Sequence, residues 1–361
     1  MSHAARLARF ARASTALALL TDARIVELLA GARIAGSGIG GTSAVLDVDG
    51  VPVFAKRIAL TDLERRPEHV MSTANLFGLP AYCQYGVGSP GFGAWREVAA
   101  NTMTTEWVVT GRTEAFPLMY HWRMVPGAPP LAEEHADIDA AVAYWGGSPT
   151  VRDRLTALAA ASTSIVLFLE YIPQNLLDWL RLQAGSGETA IASASRMVEQ
   201  RLRADTEFMA ANGLLHFDAH FRNILTDGTR LYFADLGLAT SPRFDLCADE
   251  ADLVARAVTH DVCHTVTQLV NFLVSTVCGV PVPTDGGPAE RNAYIRRCAD
   301  GAEPDAPATV AAIISRYAPV ATVVNDFYWD LFGSSRATPY PAERINQLIA
   351  GIRGTTPRYE P

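Results

Sequence analysis

The chain has 361 residues, with 30 Lys plus Arg against 38 Asp plus Glu and a formal net charge of −8 when the histidines are neutral. This acidic balance argues against a nucleic-acid coat, and a hydrophobic content of 49% is ample for a buried core, which excludes disorder over most of the length. With 27 Gly, 21 Pro and only 19% charged residues, the composition suits a compact, turn-rich, enzyme-like protein and not a coiled coil or a fibre. Cys83, Cys247, Cys263, Cys278 and Cys298 form no CxxC pair and are odd in number, so they read as reduced thiols in a cytoplasmic protein.

The first residues, MSHAARLARFARASTALALL, are basic and then apolar. Asp22 interrupts the run, and no small-residue cleavage site follows, so an amphipathic helix is expected in place of a secretory signal or membrane anchor. From Ala32 to Ile58 the pattern reads strand, Gly-rich turn, strand, Asp49-Gly50 turn, strand, a small antiparallel sheet. A loop-rich stretch, Gly78 to Gly93, precedes a helix over Ala94 to Val108. Two more strands are expected at Phe116 to Val125 and Ser164 to Tyr171, separated by an Ala-rich insert from Pro129 to Ser162 that is helical in two pieces.

Beyond Tyr171 the periodicity is helical. Asn175 to Gln183 and Ala190 to Ala211 read as helices, the second stopped by Asn212-Gly213. Strands at Asn223 to Leu225 and Leu231 to Ala234 flank a second Asp-Gly turn. The apolar run Thr265 to Val282 carries Thr265, Gln268, Asn271, Ser275 and Thr276, which suits a buried helix better than a membrane span. No repeat of 20–50 residues is evident. The division is expected near Tyr171 to Gln174.

The chemistry concentrates in HFDAHFRN, residues 216–223, followed after the hairpin by FADLG, residues 233–237. Asp218, Asn223 and Asp235 are oxygen donors that the hairpin would bring together. A hard cation such as Mg²⁺ takes ligands of that kind and shares its shell with substrate phosphates, while a remaining carboxylate is free to accept a proton. Upstream, Gly36, Gly38, Gly40 and Gly41, with Ser43 and Val45, form a Gly-rich strand-turn-strand ahead of Lys56. Glycines there let backbone amides approach phosphates. The stretch opens no helix and lacks GxxxxGK[ST], which excludes a dinucleotide fingerprint and a P-loop.

The pattern HxDxxxxN followed by DxG resembles the catalytic and metal-binding loops of the protein-kinase-like superfamily, which includes protein kinases and aminoglycoside phosphotransferases. The resemblance covers about Ala32 to Gly279. It implies an α+β bilobal fold, with a small antiparallel-sheet N-lobe over 1–172 and a mainly helical C-lobe over 173–361. It also implies ATP and Mg²⁺ as cofactors. Asp218 would be the catalytic base, Asn223 and Asp235 metal ligands, and Lys56 the contact to the phosphates. Lys56 would need a helical glutamate, for which Glu97 is the candidate ahead of Glu64 and Glu68, since Arg65, Arg66 and Pro67 suit a helix interior poorly. Backbone near Glu170 and Ile172 would hold adenine, and Asp261 would support the catalytic loop.

The acceptor is less defined. Leu236-Gly237-Leu238-Ala239 and Gly-Gly-Thr-Ser resemble protein kinases, but Phe217 replaces the arginine common before the base, and His220 resembles the small-molecule phosphotransferases. Little room lies between Asp235 and Asp261 for a peptide platform, and Ala248-Asp249-Glu250 is at best a degraded A-P-E. Switching by phosphorylation of Thr240 or Ser241 is therefore not expected. The expected partners are ATP and a hydroxyl-bearing acceptor, a small molecule in preference to a protein Ser/Thr side chain, with no nucleic acid and no membrane. A non-catalytic nucleotide-binding scaffold is the third reading. The aromatic, acidic segment Val324 to Pro341 reads as helix packing or as a pocket for a cationic ligand. His260, Cys263 and His264 lack the partners of a zinc site.

Overall fold

The computed structural model describes residues 1–38, 41–86, 88–283 and 287–355. The chain divides into two compact units. One comprises Met1–Pro173, His216–Asp218 and Tyr232–Asp252, and the other Gln174–Leu215, Ala219–Leu231 and Leu253–Pro361. The architecture is α+β, an antiparallel sheet followed by a largely helical region. Beside the expected 1–172, the sheet unit takes in two later segments, and these carry Asp218 and Asp235.

The sheet unit opens with α1 (His3–Ala18) and α2 (Asp22–Ala30), where one amphipathic helix was expected. The break falls at Thr21, whose hydroxyl caps α2 by accepting from the Arg24 amide. Next come β1 (Arg33–Gly38), β2 (Gly41–Val48) and β3 (Val51–Leu60), then α3 (Ala94–Val109), β4 (Met119–Pro126), α4 (Ile138–Tyr144), α5 (Pro149–Ala159) and β5 (Thr163–Glu170). The five strands run in the order β1-β2-β3-β5-β4. The Asp49-Gly50 dipeptide makes the β2–β3 hairpin with both residues at positive φ, 52° and 74°, the twist a two-residue hairpin turn requires. The register pairs Ser43 with Lys56, Val45 with Phe54 and Lys56 with Leu167, so these side chains share one face. On that face α3 packs through Ala94, Trp95 and Val98 against Leu60, Ile165, Leu167 and Leu169. Each such aliphatic side chain fully buried contributes about 1.5–3 kcal/mol. β5 lies between two strands and is buried along nearly all its length, which explains its unbroken apolar run.

Two insertions, residues 61–93 and 127–162, build a second core in this unit. Leu79, Cys83 and Phe92 from the first pack on Ala141, Val142, Trp145, Val151 and Leu155 from the second. Tyr82 stacks on Trp145 at 6.2 Å with an interplanar angle of 5°. Burial pushes the Cys83 thiol up to about 12, so it stays an inert apolar filler. All five cysteines are free thiols.

The helical unit contains β6 (Gln174–Asn175), α6 (Leu176–Gly185), α7 (Glu188–Ala211) and β7 (Ile224–Thr226). After the hairpin turn follow β8 (Leu231–Phe233) and α8 (Ala248–Arg256), whose residues divide between the units, then α9 (His260–Thr276), α10 (Ala289–Ala299), α11 (Ala308–Gly333) and α12 (Ala342–Thr355). As expected, α7 stops at Asn212-Gly213, with Gly213 at φ 73°. The run beginning at Thr265 is buried in α9, which packs on α7, α10 and α11. Among the described residues α11 alone is long and apolar enough to cross a membrane. It contains Pro319 and buries Val310 to Leu331 along one face within this unit. Part of the Val324 to Pro341 segment is packed, with Tyr328 hydrogen-bonded to His260 Nε2 at 2.8 Å and Phe327 meeting Tyr340 edge-on at 5.5 Å, while Trp329 is exposed.

Candidate functional site

Lys56 stands on β3 with its side chain across the face covered by α3. Its ammonium donates to Glu97 Oε1 at 2.7 Å and to Asp235 Oδ1 at 2.6 Å. Glu97 lies in the first turn of α3, 41 residues from Lys56, and is the partner that the sequence favoured over Glu64 and Glu68. Burial alone would pull the Lys56 ammonium down, but the charges of Asp235 and Glu97 hold it above its ordinary range. Glu97 is pushed up to about 7 by burial and by Asp235, against the pull of Lys56. Asp235 is held below its ordinary value, because burial, which would raise it, is outweighed by Lys56. The three groups titrate as a unit with two acids around one base. The Asp235 side chain keeps 40% exposure, so a carboxylate oxygen is accessible to a cation or a ligand.

Asp235 and Phe217 both have positive φ, 58° and 63°, which non-glycine residues adopt at a cost of about 1 kcal/mol or more. What holds them there is His216, fully buried between the two strained residues. Its Nδ1 accepts from the Asp218 amide at 3.3 Å, which leaves the proton on Nε2, and Nε2 donates to the Ala234 carbonyl at 2.9 Å. One imidazole thus ties the segment of Asp218 to the residue before Asp235. Its T-shaped contact with Phe233 at 6.2 Å fixes the ring plane.

The first insertion closes on Asp218 from the side. Gly86 has φ 83°, and a Cβ built on it would stand 3.2 Å from Asp218 Oδ1. Tyr85 packs edge-on against Phe217 at 5.8 Å, and the Gln84 amide donates to the Leu238 carbonyl. Gly88 is anchored by the second insertion, its carbonyl accepting from Trp145 Nε1 at 2.9 Å and meeting His135 Nε2 at 2.8 Å. Sequence reasoning marked this stretch only as loop. The run of glycines at 86, 88, 91 and 93 was the available signal.

The glycine-rich hairpin is less uniform than its composition suggests. Gly41 has φ 110°, and a Cβ there would stand 2.0 Å from the Arg57 carbonyl oxygen, so glycine is demanded by the neighbouring strand. Gly36 and Gly38 belong to β1. Ser43 donates to the Gly36 carbonyl at 3.3 Å, and Val45 sits in register beside the Lys56 face. Gly40 lies outside the described residues.

At the end of β5 the Glu170 side chain is not available to a ligand. It accepts from Arg6 Nε at 3.0 Å and Nη2 at 2.6 Å and from the Leu118 amide at 3.2 Å, and its own amide donates to the Leu118 carbonyl. Arg6, buried in α1, also donates to the Phe116 and Glu114 carbonyls and stacks over Tyr232 at 5.1 Å. No sequence signal marks Arg6 for this task. Ile172 is half-buried in the coil after β5.

Asn223 belongs to the helical unit, where the His220 carbonyl accepts from its amide at 2.8 Å just ahead of β7. Asp261, also there, is buried in the first turn of α9 beside His260 Nδ1 at 3.1 Å. Among the described residues no group of three His, Cys, Asp or Glu side chains is arranged to hold a metal ion. Thr240 and Ser241 are buried.

No known family model matches the chain, and no curated protein sequence does.

Proposed function

We propose that this protein is an ATP-dependent phosphotransferase of the protein-kinase-like type, moving the γ-phosphoryl group of ATP to a hydroxyl of a small molecule. The observation that carries the reading is the Lys56 ammonium between Glu97 and Asp235, with the Asp218 segment tied by His216 to the chain just before Asp235. A buried lysine ammonium held between two carboxylates is suited to phosphate oxygens. The fit to Mg²⁺ rests on donor chemistry: Asp235 is a hard oxygen donor with 40% of its side chain exposed. Asp235 would contribute a ligand to the metal, which would supply charge neutralisation at the phosphates. Asp218 would orient the acceptor hydroxyl and take its proton, and the protein's work is otherwise positioning.

A small acceptor is favoured over a polypeptide because the chain's own insertion covers the segment after Asp235. Gln84 bonds Leu238, Thr73 Oγ1 accepts from the Asp245 amide at 2.9 Å, and Arg96 meets Glu250 at 2.7 Å. Thr240 and Ser241 within that segment are buried. A cytoplasmic location follows the free thiols and remains part of the proposal.

The test is incubation of pure protein with γ-labelled ATP, Mg²⁺, a size-filtered metabolite extract and, separately, polypeptides. Label in a small molecule supports the reading, and label in polypeptide supports a protein kinase. Nucleotide binding without transfer supports the scaffold, and no Mg²⁺-dependent nucleotide binding refutes all three.

A further inference from the structure

We propose that Glu64, carried by the insertion between β3 and α3, is a positioning residue that keeps Glu97 in place against Lys56; the proposal rests on the kinase reading of that pair. The first four amides of α3 have no partner within the helix. Gly93, its N-cap, has no side chain to offer and sits at φ 146°. Glu97 is in that same first turn, so a frayed N-terminus would carry away the partner of the strand lysine.

Glu64 supplies the missing cap from outside the helix. Its Oε1 accepts from the Ala94 amide at 2.9 Å, and its backbone carbonyl accepts from Trp95 Nε1 at 2.9 Å. A carboxylate at a helix N-terminus is stabilised by the amides and by the helix dipole. The other oxygen is held independently. Oε2 accepts from the Thr61 amide at 2.9 Å, the Thr61 hydroxyl at 2.7 Å and Arg154 Nη1 at 2.8 Å. Burial would raise this carboxyl, but Arg154 and the Thr61 donors hold it below its ordinary value.

The path runs from the second insertion through Arg154 to Glu64, then to the first turn of α3 and so to Glu97 and Lys56. Arg154 is fixed over the Phe77 ring at 5.1 Å, so both insertions contribute. The consequence is a helix set in its lysine-paired position by the chain itself, without a phosphorylated residue.

The experiment measures Mg²⁺-dependent binding of the β,γ-imido analogue of ATP, together with thermal unfolding, for wild type, Glu64→Gln, Glu97→Gln and the double variant. Glu64→Gln should weaken binding roughly tenfold. The double variant should bind no more weakly than Glu97→Gln alone, because the effect passes through that carboxylate, while the thermal losses add. A purely structural role would leave affinity untouched. If Glu64→Gln does not fold, Arg154→Met and Thr61→Val loosen the grip without touching α3 and should show the same non-additivity. Unchanged affinity, or losses that add in the double variant, overturn the proposal. Failure of the wild type to bind the Mg²⁺ nucleotide would instead overturn the kinase reading beneath it.

Discussion

Replacing Arg6 by Met should remove a large part of the stability of the sheet unit, although the residue lies near the N-terminus and far from Lys56 in sequence. The guanidinium is fully buried and gives three hydrogen bonds to Glu170, at 2.6, 3.0 and 3.2 Å, one to the Phe116 carbonyl at 2.7 Å and one to the Glu114 carbonyl at 3.3 Å. Met fills much of the space but donates nothing. The Glu170 carboxylate would keep only the Leu118 amide at 3.2 Å. Breaking a buried ion pair from one side costs about 3–5 kcal/mol, and each stranded carbonyl about 1 kcal/mol more. The expected loss is therefore about 5–7 kcal/mol, a large fraction of the roughly 5–15 kcal/mol that holds a typical domain together. Removing the acid as well, in Arg6→Met with Glu170→Met, leaves the two carbonyls and the Leu118 amide stranded and should recover about half of the loss. Urea unfolding followed by tryptophan fluorescence, with the slope compared between variants, reads both numbers. A single variant within about 1 kcal/mol of wild type, or a double variant no more stable than the single, would refute the reasoning.

Four further outcomes follow from the site. Asp218→Asn should lower phosphoryl transfer by about 100-fold or more while leaving Mg²⁺ nucleotide affinity within about twofold, measured by label transfer and by titration calorimetry. Gly86→Ala forces a methyl to 3.2 Å from Asp218 Oδ1 at φ 83°; turnover should fall about tenfold or more with nucleotide affinity retained. Gly41→Ala drives a methyl into the Arg57 carbonyl and should destabilise the β2–β3 hairpin by at least about 2 kcal/mol in thermal melts. The carboxyl of Glu64 lies lower in the folded than in the unfolded chain, so its contribution is present above the ordinary carboxylate pKa and is lost as pH falls toward its folded value. Melting temperatures taken downward from pH 7 should fall more steeply for wild type than for Glu64→Gln.

What could be read in the sequence was local or carried by residue chemistry. Asp49-Gly50, Asn212-Gly213 and the β-branched runs dictate their own backbone, and the structure has its turns and strands there. A strand lysine needs an anionic partner, and the resemblance to the protein-kinase-like superfamily implies a glutamate on the helix that follows; Lys56 and Glu97 meet across 41 residues. The start of β4 shows where such reasoning ends. Phe116 to Leu118 has strand composition, yet β4 begins at Met119. Pro117 has no amide to give, the Phe116 carbonyl is taken by Arg6, and the Leu118 amide and carbonyl go to Glu170. Those partners lie up to 164 residues apart for Arg6 and Glu170, and no periodicity reports on them. Glu64 ranks below Glu97 in the sequence because Arg65, Arg66 and Pro67 suit a helix interior poorly; its contacts depend on Arg154, from an insert whose two helices are legible but whose docking is not.

The strain at the site supports the assignment of Asp218 in a way the motif alone does not. Phe217 and Asp235 are both held left-handed, and a backbone that rested in its preferred regions would aim the following carboxylates elsewhere. Neither position is glycine, so the conformation has to be imposed from outside. The imposing group is His216, whose two nitrogens meet Asp218 and Ala234 on either side. The ring is fully buried, with Nδ1 accepting from the Asp218 amide and Nε2 facing the Ala234 carbonyl. Phe217 packs its side chain edge-on against the Tyr85 ring of the first insertion, which fastens that insertion beside Asp218 and completes from the chain's own residues the frame that holds this carboxylate.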